Sequence, residues 1–153
     1  MKVSIHDHCR GGERVPVDVL AEVLKAAGCI DVRAERGAAP RIRSQFMSSL
    51  REDGWSGEIT VSRDSDITIT SMRQKVGLCL QTGNMARMYA DLIKLQTLYL
   101  DNAIEAAVIV LPSQLLALAI GDNIAHAARL ERELDIYRKA YNVPTLLLGL
   151  EQA

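Results

Sequence analysis

Apolar residues recur at helical spacing in the first third of the chain. Over 16–27 they form one face, and Gly28 is placed to end a helix. Over 41–52 they lie four residues apart, as on one side of a second helix. The pattern therefore predicts two amphipathic helices, preceded by a short strand at 3–5 and separated by a polar stretch.

The period changes to two residues after Gly57. Apolar residues then alternate with polar or small ones, which is typical of half-buried strands joined by polar turns. The predicted strands and turns of this region are, in order, 59–61, 63–66, 67–69, 71–75 and 76–80.

Two long helices and two continuous apolar strands complete the pattern. Asn84 is a good N-cap for the helix at 84–102, and the second helix spans about 121–140. The strands at 106–111 and 144–150 are apolar throughout, as in strands covered on both faces. Helices that link such strands form crossover units. The predicted fold class is α/β, a mixed β-sheet flanked by helices.

The composition narrows the functional classes. With 153 residues the chain is predicted to form a single domain over 1–153, and a formal net charge of −1 excludes a protein that is basic throughout. Any contact with nucleic acid therefore needs a local cationic surface. No apolar run is long enough for a membrane span, and the polar start is unlike a signal peptide. Three cysteines without a C-x-x-C pair favour reduced thiols in the cytoplasm.

The absence of characteristic motifs argues against several kinds of chemistry. The chain has no glycine-rich fingerprint for a nucleotide cofactor and no G-x-S-x-G elbow for a serine hydrolase. His6-x-His8-Cys9 contains donors that zinc prefers, but zinc needs four ligands and the only other histidine is His126. Capping of a loop is the favoured interpretation of these residues.

The densest basic cluster lies between the first two helices and continues into the second. A solvated surface and a patch that contacts phosphates explain this cluster equally well, and the same holds for the basic residues of the turn at 71–75. The helix that starts after Asn84 could hold an anion at its free N–H groups, although every helix has this property. The candidate DNA-binding residues are Arg41, Arg43, Arg73, Lys75, Asn84 and Arg87.

Residues 76–96 carry a distinctive pattern: Val-Gly-Leu-x-Leu-Gln-x-Gly-Asn, then Arg-x-Tyr-x-Asp-Leu-x-Lys-Leu-Gln from Arg87 onward. This pattern is similar to the core of the BglII/BstYI family of type II restriction endonucleases. Shorter pieces at 8–13, 54–55, 110–112 and 121–125 resemble the same family. The resemblance implies a restriction-endonuclease-like (PD-(D/E)xK-type) fold, a homodimer, duplex DNA as ligand, and magnesium for cleavage.

The family's acidic catalytic positions are not acidic in this chain. The resemblance implies an Asp nine residues before a Glu, with a Gln two residues after the Glu. The Gln falls on Gln81, but the Glu falls on Cys79 and the Asp on Thr70. Magnesium prefers carboxylate and water oxygens, whereas a thiol is a soft ligand and a hydroxyl carries no charge. We therefore expect feeble magnesium binding and no cofactor, with magnesium required only if cleavage survives.

Three functions stay open on the sequence. The first is a DNA-binding protein without cleavage that reads a near-palindromic target as a dimer. The second is an active magnesium-dependent endonuclease whose metal ligands have moved to Asp66, Asp91 or Glu58. The third is a protein-interaction or regulatory module, which the near-neutral net charge favours.

The apolar stripes of the two long helices are candidates for the dimer interface, although covering the sheet would explain them as well. Their members are Met85, Met88, Tyr89, Leu92, Leu130, Leu134 and Tyr137.

Overall fold

A computed structural model describes residues 1–153. Its seven strands are β1 (Lys2–His8), β2 (Ile59–Thr60), β3 (Thr68–Ile69), β4 (Ser71–Arg73), β5 (Val76–Leu80), β6 (Ala106–Pro112) and β7 (Thr145–Glu151). Its six helices are α1 (Gly11–Arg14), α2 (Val17–Gly28), α3 (Ala39–Glu52), α4 (Met85–Leu100), α5 (Gln114–Ile120) and α6 (Ala127–Ile136).

Five of the strands form one mixed sheet in the order β1-β7-β6-β5-β4. The three central strands are parallel, and the two edge strands, β1 and β4, run antiparallel to their neighbours. Strands β2 and β3 form a separate two-stranded ladder. The predicted mixed sheet is thereby confirmed.

Helices cover the sheet on both faces, which explains why β6 is apolar throughout and why β7 is buried up to Leu150. Alternate residues of β5 and β6 point to opposite sides, so Leu78 and Val108 join one core, and Cys79 and Ile109 join the other. The first core contains the buried faces of α2, α3 and α5, and the second contains those of α4 and α6. The α/β fold class predicted from the sequence is confirmed.

One predicted turn and two predicted strands need correction. Residues 71–73 of the expected turn form the edge strand β4, because the reversal is made by only two residues, Gln74 and Lys75, both with left-handed backbone angles (φ 48° and 59°). The expected strands at 59–61 and 67–69 shorten to two residues each, and β3 begins only at Thr68. Asp66 therefore lies in the preceding loop and not on a strand with Thr70.

The sequence pattern did not predict helix α5, and the start that it predicted for the last helix was wrong. The Ser113 hydroxyl accepts a hydrogen bond from the Leu116 backbone N–H (3.2 Å) and caps α5. The last helix begins at Ala127 instead of near 121, because the preceding segment is extended and Ile124 pairs with Asn84.

The N-terminal histidines belong to a strand and do not cap a loop, so that interpretation was wrong. His8 is buried on β1, with its ring stacked on Tyr141 and its Nε2 2.9 Å from the Tyr141 carbonyl oxygen. His6 faces Glu131 instead, at 3.2 Å, and His126 caps α6. These side chains form no zinc site.

None of the helices combines the length and apolar character that crossing a membrane would need.

Most of the stripe proposed for dimerisation covers the sheet. Met88, Leu92, Leu130 and Leu134 are each at most 6% exposed within the second core. They are therefore unavailable to a second copy of the chain, whereas Tyr137 is 44% exposed.

Candidate functional site

A cleft of about 570 Å³ opens beyond the carboxyl end of β5. Its walls come from the start of α3, the β2–β3 ladder and one side of α4, and its floor is the segment that joins β5 to α4. This position, outside the carboxyl end of a parallel strand, is where α/β sheets commonly bind their ligands. The side chains with polar or charged groups in the lining are Arg43, Glu58, Thr68, Thr70, Gln81, Thr82, Arg87, Asp91 and Lys94.

A hydrogen-bonded network occupies the cleft floor. Gln81 donates through Nε2 to Asp91 Oδ2 (2.7 Å), and its Oε1 accepts from the Gly83 backbone N–H (2.9 Å). Lys94 Nζ lies 3.5 Å from the other oxygen of Asp91. Gln81 therefore links the turn before α4 to a carboxylate on the first half of that helix.

Asp91 is the buried acid of the cleft, with 6% of its surface exposed. Burial raises the pKa of its carboxyl above the ordinary value, and the contacts with Gln81 and Lys94, together with the charge of Arg43, oppose that rise. The fold thus keeps this carboxylate near cationic groups but largely out of water.

Thr70 and Cys79 occupy the positions at which the sequence resemblance implies acids. Thr70 lines the cleft, and its hydroxyl oxygen accepts a hydrogen bond from the Leu80 backbone N–H (3.0 Å). Cys79 does not line the cleft: it is 1% exposed and packs in the second core. Burial, with the charge of Asp91 in second place, raises the pKa of the Cys79 thiol well above its ordinary value. Cys79 is therefore a protonated core residue.

Three cationic side chains line the same cleft. Arg87 and Lys94 lie seven residues apart on one side of α4, and Arg43 reaches in from α3. Arg43 donates to the Leu80 carbonyl oxygen (3.0 Å), which holds its guanidinium beside the end of β5. Arg87 is exposed, and its guanidinium makes no hydrogen bond or ion pair within the chain.

The structure separates the other predicted DNA-binding residues from the cleft. Arg73 is ion-paired with Glu22 (2.8 Å), and Lys75 lies 3.9 Å from Glu105, both at the opposite end of β5. Arg41 pairs with Glu35 on the exposed side of α3. Asn84 caps α4, since its Oδ1 accepts from the Arg87 backbone N–H (3.1 Å). Of the six candidates, only Arg43 and Arg87 line the cleft.

Of the three acids proposed as substitute metal ligands, two line the cleft and one does not. Asp91 and Glu58 both line the cleft, Glu58 from an exposed position before β2. Asp66 does not line it.

A second groove continues from the cleft along α3. The two share Pro40 and Arg43, and the groove extends past two serines to Arg51, with a volume of about 770 Å³. Arg51 is exposed and makes no ion pair within the chain. The cleft and groove together form a continuous surface with hydroxyl and guanidinium groups.

The sequence analysis did not predict that Lys94 and Arg51 belong to the candidate site. For Lys94 a pattern was available, because Arg87, Asp91 and Lys94 are spaced to lie on one face of a helix. Arg87 and Asp91 of that face were named as candidate site residues, but Lys94 was not. Nothing in the sequence indicates that Arg51 lies beside the same cleft.

The order of strands, the helices on both faces and the cleft at the end of β5 define a restriction-endonuclease-like protein. The model of the family described as restriction endonuclease BglII/BglIII matches residues 16–150. The chain therefore belongs to that family. Among curated proteins, none matches the chain in sequence.

Two crystal structures of the restriction endonuclease BglII share the fold over the whole of this chain. The complex of BglII with a DNA 16-mer superposes with a TM-score of 0.88 at 14% identity and is covered over 79% of its length. Free BglII superposes with a TM-score of 0.80 at 13% identity and is covered over 81% of its length.

The side chains at this end of β5 do not suit a magnesium ion. Asp91 is already bound by Gln81 and Lys94, Thr70 carries no charge, and the thiol of Cys79 is buried and protonated. Nowhere in the chain do three or more His, Cys, Asp or Glu side chains converge so as to hold a metal ion.

Proposed function

We propose that this protein binds duplex DNA as a homodimer and does not hydrolyse it. The observation that carries the proposal is the composition of the cleft. On the correspondence predicted from the sequence, neutral residues, Thr70 and Cys79, stand at the two acidic positions of the family, and three cationic side chains line the cleft. Such a surface can hold phosphates but lacks the two carboxylates that the family resemblance implies for magnesium.

The charges of the cleft support a contact with the DNA backbone. Arg43, Arg87 and Lys94 contribute three positive charges, against two negative charges from Glu58 and Asp91. The groove along α3 adds Arg51 and Glu52, so it leaves this excess of one positive charge unchanged. A chain with a net charge of −1 therefore places an excess of positive charge on one surface, as a phosphate-binding surface requires.

DNA binding is tested by titrating a mixed-sequence duplex at several salt concentrations and following fluorescence anisotropy. Phosphate contacts release counterions, so we expect the logarithm of the affinity to fall linearly with the logarithm of the salt concentration. Absence of binding at low salt would contradict the proposal and favour a protein-interaction module. A selection from random duplexes would then show whether the bound sequences are palindromic.

The matched variants are Arg87→Gln and Arg10→Gln. Arg87 lines the cleft with a free guanidinium, whereas Arg10 is exposed on the turn after the far edge strand, β1. We expect Arg87→Gln to weaken binding to all sequences and to lower the salt slope by about 1, with no effect of Arg10→Gln.

One observation favours a second candidate, an active endonuclease with relocated ligands. Asp91 and Glu58 line the same cleft and are the two acids available there. Incubation of supercoiled plasmid with the protein and Mg²⁺ or Mn²⁺ distinguishes the two functions. Intact plasmid agrees with the proposal. Nicking that Asp91→Ala or Glu58→Ala abolishes would establish the second candidate in its place.

The homodimer is proposed on the outer surface of α4 and the end of α6. An apolar groove of about 390 Å³ lies there, lined in part by Ile93, Leu100 and Tyr137. Ile93 and Leu100 are each 69% exposed, and the neighbouring Ile136 is 74% exposed. Exposed apolar side chains concentrated at one place are typical of an interaction surface. We propose that a second copy of the chain covers this groove, because contact with duplex DNA as a two-fold dimer needs a self-complementary surface.

The proposal also includes a cytoplasmic location and a single domain over 1–153. All three cysteines are unpaired in the structure, which supports a reducing compartment.

A further inference from the structure

We infer that Lys94 and Arg43 take the place of the divalent ion in this cleft and bind a DNA phosphate directly. The ligand is thus a backbone phosphodiester, and the binding needs no metal. This inference rests on the proposed function, since it assumes that the cleft meets DNA. It goes further by naming the groups that neutralise the phosphate.

The geometry holds Lys94 at the cleft floor. Its Nζ lies 3.5 Å from Asp91 Oδ1, and its side chain is 25% exposed. Asp91 is itself anchored by Gln81 through the 2.7 Å hydrogen bond. The ammonium group is therefore fixed beside the segment that joins β5 to α4, and still has hydrogens directed toward solvent, because an ammonium group donates up to three hydrogen bonds.

Arg43 is held on the opposite side of the same floor. One guanidinium nitrogen donates to the carbonyl oxygen of Leu80, the residue before Gln81. A guanidinium has five N–H donors, so most of them remain for an anion. The planar arrangement of these donors matches two phosphate oxygens at once.

Both cations are close to the position that the missing glutamate would occupy. The positive charges of Lys94 and Arg43 act on the Cys79 thiol and oppose the rise of its pKa caused by burial and by Asp91. The charges that now surround position 79 are therefore two cations and one carboxylate.

The balance of charge argues against a metal ion at this place. A magnesium ion would sit beside two cationic side chains with Asp91 as the single buried carboxylate, so its charge would be poorly compensated. A phosphodiester brings one negative charge to a floor whose net charge is +1 when Asp91 is ionised. The phosphate, and not the metal, complements the cleft.

The experiment measures the affinity for a mixed-sequence duplex in EDTA and in MgCl₂ at matched ionic strength. We expect the affinity in MgCl₂ to be no higher than in EDTA, because Mg²⁺ only competes with the protein for the DNA phosphates. Lys94→Gln should weaken binding in both buffers alike and lower the salt slope by about 1. Lys94→Arg keeps the charge and should retain most of the affinity. Lys2→Gln is the matched control, because Lys2 is exposed on the opposite edge strand.

The outcomes separate this inference from the proposed function. Binding that requires Mg²⁺, or that strengthens about tenfold or more with it, would overturn the inference and leave DNA binding intact. A folded Lys94→Gln protein with unchanged affinity and salt slope would overturn it as well. No binding in either buffer would overturn the proposed function and the inference together. The comparison of buffers uses the unmodified protein, so it holds whether or not a variant folds.

Discussion

The fold buries the Asp91 carboxylate next to cationic side chains. Their attraction does not fully offset the free energy that the carboxylate loses when it leaves water. Burial raises its pKa above the value in the unfolded chain, despite the hydrogen bond from Gln81 and the charges of Lys94 and Arg43. Its contribution to stability is therefore complete below the ordinary aspartate pKa, near 4, and is lost as the pH rises through the higher pKa of the folded state. At neutral pH the ionised carboxylate lowers the free energy of unfolding.

Replacing Asp91 by asparagine should therefore stabilise the protein at pH 7. The advantage should shrink toward pH 4, where the parent carboxyl is protonated. Urea unfolding at the two pH values measures this, with Asp135→Asn as control, since Asp135 is exposed on α6.

Asp91→Asn also removes a negative charge from the cleft, so DNA affinity should rise severalfold. Loss of DNA binding in the folded variant would contradict the phosphate-binding cleft.

Thr70 and Cys79 can be tested by restoring the acids that the family resemblance implies. We expect the double variant Thr70→Asp with Cys79→Glu to take up Mg²⁺ in calorimetry, because it brings two carboxylates to the site beside Asp91. Cys79 is fully buried, so the longer glutamate should cost about 2 kcal/mol of stability. A folded double variant without Mg²⁺ uptake would show that the correspondence of positions 70 and 79 is wrong.

Helix α6 depends on an uncommon cap. His126 Nδ1 accepts a hydrogen bond from the Arg129 backbone N–H (3.3 Å), so the ring must be neutral at that nitrogen. Burial, with the charges of Arg132 and Arg129, lowers the pKa of His126. The stability from this cap is thus complete above the ordinary histidine pKa, near 6.5, and is lost as the pH falls through the lower pKa of the folded state.

His126→Asn should keep the cap and remove its dependence on pH. Between pH 7 and pH 5 the parent should lose more stability than the variant, as followed by thermal unfolding. Part of the pH dependence should persist, because burial also lowers the pKa of His8. His126→Ala should be about 1 kcal/mol less stable at pH 7, since it has no cap. Identical pH profiles for the parent and His126→Asn would contradict the assignment.

The whole molecule is expected to act as a dimer through the apolar groove between α4 and the segment that follows α6. Leu100→Asp places a charge in that groove, whereas Leu115→Asp makes the same change on α5, where the leucine is 81% exposed. In sedimentation velocity we expect the Leu100 variant to be a monomer and the Leu115 variant to remain a dimer. DNA affinity should fall with the loss of the dimer, because two linked contacts bind more tightly than one. A monomeric parent protein would contradict the proposed dimer.

The sequence patterns were most informative where one physical constraint dominated. Apolar residues on both sides of β6 and β7 predicted that helices cover both faces of the sheet. The apolar stripe of α4 predicted that this side of the helix is buried, and the fold confirms both predictions. A turn was predicted at 71–75, but its restriction to Gln74 and Lys75 was not, because neither residue is one that usually adopts left-handed angles. Helix α5 was not predicted, because its seven residues are nearly all apolar and show no helical alternation of apolar and polar positions.

The amino-acid sequence alone determined the family and the α/β fold class, and it predicts the loss of acids at positions 70 and 79. These follow from residue identities and from periodicities of two and 3.6 residues, which are local properties of the chain. Only the tertiary structure decided which charges share the cleft. Arg73 and Lys75 are close in sequence to Thr70 but face the other end of β5, while Lys94 and Arg43, far apart in sequence, meet at its carboxyl end. Long-range packing, and not local pattern, places side chains opposite one another.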